Sequence, residues 1–184
     1  MRFELIGYGP LPNEIDEDYE QDNSCLPDRG VPLGMENGDI PDESLAASTY
    51  GQSNHAPWLA RLHLDTAYGW IPTLEDENPF LEVDLQTKHL VTGVITQGHR
   101  DLQWWTTSTW LEFFDGQFWK YIYEDDCGSR TIFPTNYDNN SPVTILLPAP
   151  VIATKVRIYP QSWSTRTTLR CEILGREITN MTDS

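Results

Sequence analysis

The chain has 184 residues, 39% of them hydrophobic, and 12 basic residues face 28 acidic ones, for a formal charge of -16. That length is about one domain with a short linker or tail, which excludes a large multidomain enzyme; so negative a charge repels polyphosphate and removes the counterion release that drives nucleic-acid binding. No run of eighteen apolar residues occurs and Met1 leads into Arg2, Phe3 and Glu4, so the expectation is a soluble chain with no export signal of its own.

Residues 1–9 are expected to be the closing strand of a preceding domain of the same kind. Met1-Arg2-Phe3-Glu4-Leu5-Ile6-Gly7 and Leu169-Arg170-Cys171-Glu172-Ile173-Leu174-Gly175 share one pattern of apolar, Arg, any residue, Glu, apolar, apolar, Gly. Residues 10–30 are acidic and broken by proline, too polar to order themselves, and read as a linker. From residue 31 period-two alternation dominates and no useful helical periodicity remains. Leu81-Glu82-Val83-Asp84-Leu85 alternates cleanly, and His89 to Thr96 is a more fully buried strand. Ser108 to Phe114 turns through Asp115-Gly116 into Phe118 to Tyr123, a hairpin signal. Thr131 to Phe133, Val143 to Leu147, Lys155 to Tyr159 and Leu169 to Leu174 complete about eight short strands. Such a set predicts an all-β domain over residues 31–176, a two-sheet sandwich closed by Greek-key or jelly-roll connections, with residues 177–184 as a tail.

Catalytic patterns are missing. His55, His63, His89 and His99 are scattered, and there is no His-x-x-x-His, Cys-x-x-Cys or Gly-x-Ser-x-Gly. Glu75, Asp76 and Glu77 could mimic a glycosidase carboxylate pair but read as a solvated loop. No glycine-rich phosphate cradle is present, so neither a nucleotide cofactor nor an enzyme is expected.

The aromatic loops carry more information. Trp104 and Trp105 cannot both face one core from an extended backbone. Either one meets solvent as an anchor for a membrane, sugar or protein, or the loop folds over and both rings pack. Trp110, with Leu111 and Phe113 claiming the inner face, poses the same question. The loop Thr49 to Trp58 is rich in groups suited to adaptable recognition, or is an ordinary polar turn. Cys25, Cys127 and Cys171 cannot all pair within one chain. Asn180-Met181-Thr182 and Asn139-Asn140-Ser141 are glycosylation sequons for a secreted protein, the second followed by Pro142.

In order along the chain stand Pro32-Leu33-Gly34-Met35-Glu36-Asn37-Gly38-Asp39-Ile40, Ala46-Ala47-Ser48, Ala60-Arg61-Leu62, Trp70, Phe80 to Leu85, Thr96-Gln97-Gly98, Val156 to Trp163 and Leu169 to Gly175. Together they resemble the discoidin domain, also called the coagulation factor V/VIII C-type domain, over residues 31–175. The resemblance implies a distorted jelly-roll barrel of eight main strands. It also implies a non-catalytic recognition module of a secreted or cell-surface protein, here the second of a tandem, with ligand-binding spikes at one end of the barrel. The first spike corresponds to Tyr50 through His55, including Gln52 and Asn54, the second to Asp65 through Tyr68, and the third to His99, Arg100, Asp101, Leu102, Gln103 and Trp104. Trp105 matches a position where relatives pack an aromatic, which leaves Trp104 as the exposed candidate.

The family's usual disulfide is not matched, because Arg176 stands where its second cysteine falls. Beside the resemblance, Cys25 with Cys171 is the expected pair, the alternative being Cys171 as a small buried hydrophobe, and Cys127 could bridge to another chain in a homo-oligomer. Fucose-binding relatives hold calcium, for which Asp39, Asp42, Ser48 and Glu172 could supply oxygens here. The expected partner is a cell-surface or matrix protein or glycan, for which Arg100, Asp101, Gln103 and Trp104 offer a platform. Two alternatives are phosphatidylserine membranes, with His99 and Arg100 a thin basic supply, and a structural role in oligomerisation.

Overall fold

Leu81, Val83 and Leu85 are buried while Glu82 and Asp84 between them remain half-exposed, so the alternation read along the sequence places one face inward. The computed structural model describes residues 29–66, 68–124 and 128–178. The expected strand 1–9, the linker as far as Asp28, Cys25, Cys127 and the Asn180 sequon lie outside the described residues.

Among the described residues the strands are β1 (Val31–Pro32), β2 (Leu45–Ala47), β3 (Leu81–Gln97), β4 (Trp105–Phe114), β5 (Trp119–Tyr121), β6 (Phe133–Pro134), β7 (Val143–Ser164) and β8 (Arg170–Glu177). All pair antiparallel along the path β1-β8-β3-β7-β4-β5, with β2 on β3 and β6 on β4. Two expectations are corrected. The segments 81–85 and 89–96 are halves of one strand, β3, and 143–147 and 155–159 are halves of β7. β3 turns a corner where its register against β7 slips between Asp84 and His89. There Gln86 adopts a φ of 65° and donates its N–H to Asp84 Oδ1 at 2.8 Å. The first half of β3 pairs with β2 and with the second half of β7, which pairs on its other edge with β4. Its second half lies between β8 and the first half of β7. Bent strands thus serve both layers of the expected jelly roll.

Met35, Trp70, Val83, Leu111, Val156 and Ile173 fill the space between the layers. Cys171 lies among them as a free thiol with no exposed surface, which corrects its expected pairing with Cys25 in favour of the small buried hydrophobe. Burial, with Glu172 beside it, pushes this thiol far above its ordinary pKa. Glu172, also fully buried, accepts N–H bonds from Met35 at 3.1 Å, Glu36 at 2.9 Å and Ile173 at 2.8 Å. From the other side Arg61 donates to the carbonyls of Met35 and Ile40, each at 2.9 Å, and to Asp42 at 2.5 Å. The Gly34-Met35 segment is therefore clamped between two buried charged side chains. β8 runs one residue past the expected boundary at 176, and Ile178 still donates its N–H to the Lys88 carbonyl at 2.9 Å.

Candidate recognition site

β3, β4, β7 and β8 meet at one end of the barrel, and the loops between them converge there. Gly98 begins the third spike because its backbone is crowded: a Cβ would stand 2.6 Å from that of Trp105. His99 then donates its backbone N–H to the Trp104 carbonyl at 2.8 Å, closing the loop. Its ring is only 2% exposed, and Nδ1 accepts N–H bonds from Asp101 at 3.0 Å and Leu102 at 2.9 Å, which places the imidazole proton on Nε2. Burial holds His99 below the ordinary imidazole value; Asp101 opposes this, while Arg170, His55 and Arg100 reinforce it.

That ring joins the second spike to the third. Tyr68 of the second spike stacks on it at 4.9 Å and 10°, and Trp104 meets it edge-on at 5.3 Å. Arg100 reaches over Tyr68 at 5.6 Å and grips Asp101 through two bonds of 2.9 and 2.7 Å, which neutralises its charge. From the turn after β6, Asn139 donates its amide to the carbonyls of His99 at 3.1 Å and Arg100 at 3.3 Å, and its Oδ1 accepts from Gln103 at 3.3 Å. The sequon nitrogen at Asn139 is thus engaged in holding the spike. Beneath them Arg170, 1% exposed, donates to the Gly98 carbonyl at 2.7 Å and to Asn140 Oδ1 at 2.9 Å; burial pushes its pKa down to about 10.

The first spike is anchored by Asp76. Its carboxylate accepts the hydroxyls of Ser48 and Thr49, both at 2.6 Å, and the Asn78 N–H at 3.2 Å. Burial raises its pKa, but these bonds more than offset that and leave it low. The Trp70 indole adds a 2.8 Å bond to the Thr49 carbonyl. Above this base Tyr50 and Trp58 form an exposed edge-to-face pair at 5.9 Å, Gln52 and Asn54 are exposed, and His55 is half-buried.

His55, Tyr68, His99, Arg100, Asp101 and Trp104 therefore come together, with Gln103 on the rim and Tyr50, Gln52 and Asn54 on the neighbouring spike. Trp104 is not the exposed tip: it is half-buried between His99 and Arg166, and Leu102, 44% exposed, takes that place. The sequence reading held Leu102 and Trp58 only as members of their loops, not as anchors, and missed Tyr137, Trp163 and Arg166 as binding candidates. A lone apolar residue in Arg100-Asp101-Leu102-Gln103 was the available signal for the tip. Trp110 lies flat on its own sheet, stacked on Tyr159 at 3.8 Å and 8° with Arg130 4.2 Å above it. The four oxygen donors considered for calcium do not fit one shell. Glu172 is spent on N–H groups, Asp42 on Arg61, Ser48 on Asp76, and Asp39 accepts from Asn37. Among the described residues no three Asp, Glu, His or Cys side chains group as a metal requires.

The model of the F5/8 type C domain matches residues 44–173. The chain belongs to that family. The F5/8 type C chain is 38% identical to coagulation factor VIII of Mus musculus over 165 residues, covering 84% of the chain and 7% of that protein. It is 33% identical to retinoschisin of Takifugu rubripes over 160 residues, covering 82% of the chain and 57% of that protein. It thus spans less than two thirds of either relative. Discoidin II from Dictyostelium discoideum superposes with a TM-score of 0.65 at 24% identity, covering 76% of this chain and 56% of that one. The family 32 CBM from C. perfringens NanJ in complex with galactose superposes at 0.53 and 14% identity, covering 75% and 97%. Both show the fold. As an F5/8 type C domain the chain is a binding module and not an enzyme, and its setting is extracellular or at a cell surface.

Proposed function

We propose that this F5/8 type C domain captures a protein or glycan on a cell surface or matrix through its loop end. The observation that carries this reading is the joining of the second spike, the third spike and the Asn139 turn around His99, beside a first spike anchored on Asp76, with Tyr50, Trp58, Leu102 and Tyr137 left exposed. Aromatic and apolar anchors set among amides and charges are what a recognition surface needs, and a preformed scaffold spares the ordering entropy of binding. A phospholipid membrane is the weaker alternative, because Arg100, the cation beside the Leu102 tip, is already neutralised by Asp101.

The test is binding of the fluorescent full chain to intact cells, before and after protease or glycosidase treatment. Leu102→Asp and the double variant Tyr50→Ser, Trp58→Ser should each lose binding while unfolding at the parental temperature. Retention of full binding by both would remove the loop end as the site.

A further inference from the structure

Arg166 at the loop end has neither a carboxylate partner nor an acceptor for its Nε among the described residues. Arg166 follows β7, its guanidinium stands 5.7 Å from the centre of the Trp104 ring, and no carboxylate among the described residues pairs with it. Its Nε is buried and makes no hydrogen bond to any described residue, and the same holds for Nδ1 of His55. The two groups are neighbours: the point where a Cβ on Gly51 would sit lies 3.3 Å from His55 Nδ1 and 3.5 Å from Arg166 Nη2. A side chain at 51 would therefore crowd both groups. Arg166 also borders a cleft of about 70 Å³ whose walls include Pro72, Leu74 and Trp163. Asp76 reaches the same cleft, but its oxygens are taken by Ser48, Thr49 and Asn78.

Arg170 also lacks a carboxylate partner but donates to Gly98 and Asn140, whereas Arg166 keeps a buried Nε with no acceptor, and a buried donor left unpaired is costly. An anionic oxygen pair answers that deficit, since guanidinium and carboxylate match as two parallel bonds. Neutral His55 can present a proton on Nδ1 to the same ligand. The surroundings suit a sugar: Trp104 and Trp163 offer apolar ring surface and Gln52 and Asn54 are exposed amides able to meet hydroxyl groups. We infer that Arg166 and His55 form a subsite for the carboxylate of an acidic sugar, such as a sialic or uronic acid at the end of a glycan. This rests on the loop-end reading above and narrows it to one class of ligand.

The probes are the methyl glycosides of N-acetylneuraminic acid and glucuronic acid, and their uncharged methyl esters, titrated into the full chain by calorimetry and by NMR of the Arg166 Nε–H and tryptophan indole signals. One or both acids should bind and shift those signals, with the matching ester about tenfold weaker or worse, the loss expected of a charged hydrogen-bond pair. Arg166→Gln should lose a similar factor at unchanged thermal stability, Arg166→Lys should recover part of it, and Gly51→Ala should weaken binding by crowding both groups. Equal binding of acid and ester, full affinity in Arg166→Gln, or no binding of either acid would each overturn the subsite. Binding of N-acetyl-glycylglycine without either sugar acid would also overturn it, in favour of a peptide terminus. Cell binding separates the two levels: if Leu102→Asp abolishes it and Arg166→Gln does not, the subsite falls and the loop-end reading stands; if neither variant matters, the loop-end reading falls.

Discussion

A single imidazole decides whether the third spike holds its shape. His99 accepts two backbone N–H bonds at Nδ1 and therefore works only as a neutral ring, and burial depresses its pKa below 6.5. Below that pH the unfolded chain binds a proton that the folded chain refuses, so this stability is complete above about pH 6.5 and declines as the pH falls towards the depressed folded value. His55, lowered by burial and then by Arg166, acts with the same sign. The melting temperature should fall between about pH 7 and pH 5.5, and His99→Asn, which keeps an acceptor without a titrating proton, should flatten that slope. An unchanged slope in a variant carrying both His99→Asn and His55→Asn would exclude the imidazoles as its cause. Cys171 makes a second residue-scale prediction. Its buried thiol should resist an aromatic disulfide reagent until urea unfolds the chain, and Cys171→Ser should lose roughly 1–3 kcal/mol in urea titration by burying a hydroxyl in an apolar site. The sequence reading favoured Cys25 as the partner of Cys171 and held the small buried hydrophobe only as the alternative that the resemblance offered, and the anchoring role of His99 was not legible at all. That role depends on Tyr68 and Asn139, which lie 31 and 40 positions away in the chain.

Strands were legible wherever apolar residues alternated over five or more positions, as in Leu81 to Leu85, and their continuity was not. Gln86-Thr87-Lys88 and Pro148-Ala149-Pro150 read as turns because they are polar or proline-rich, yet the paired strands bend there and continue. β1 and β2, two and three residues long, are too short to show a period and exist because β8 and β3 offer them edges. The close approach of β3 to β7 rests on Gly93, where a Cβ would come within 2.5 Å of the Ile145 carbonyl oxygen, a backbone atom that cannot swing aside. Gly93→Ala should therefore push the two strands apart and cost about 1–3 kcal/mol, the usual penalty of overpacking, read as a lower urea midpoint. An unchanged midpoint would mean that the bend relaxes at no cost.

Charge acts on the molecule as a whole, and it was legible from composition alone, whereas the identity of the charges at the loop end required the fold. A formal charge of -16 opposes approach to an anionic bilayer, and at about 0.15 M salt that repulsion reaches only about 8 Å. Within that range the local cations matter: Arg100 is spent on Asp101, Arg170 is buried, and Arg166 is set back over Trp104. Leu102 can contribute about 1.5–3 kcal/mol by entering a membrane, which falls short of the two signals that stable anchoring needs. Phosphatidylserine vesicles should therefore pellet the full chain no better than phosphatidylcholine vesicles, and lower salt should not help, because repulsion then extends farther from the surface. Selective pelleting that strengthens at low salt and disappears in Leu102→Asp would show that the arginines at the loop end outweigh the net charge, and would make the domain a lipid reader.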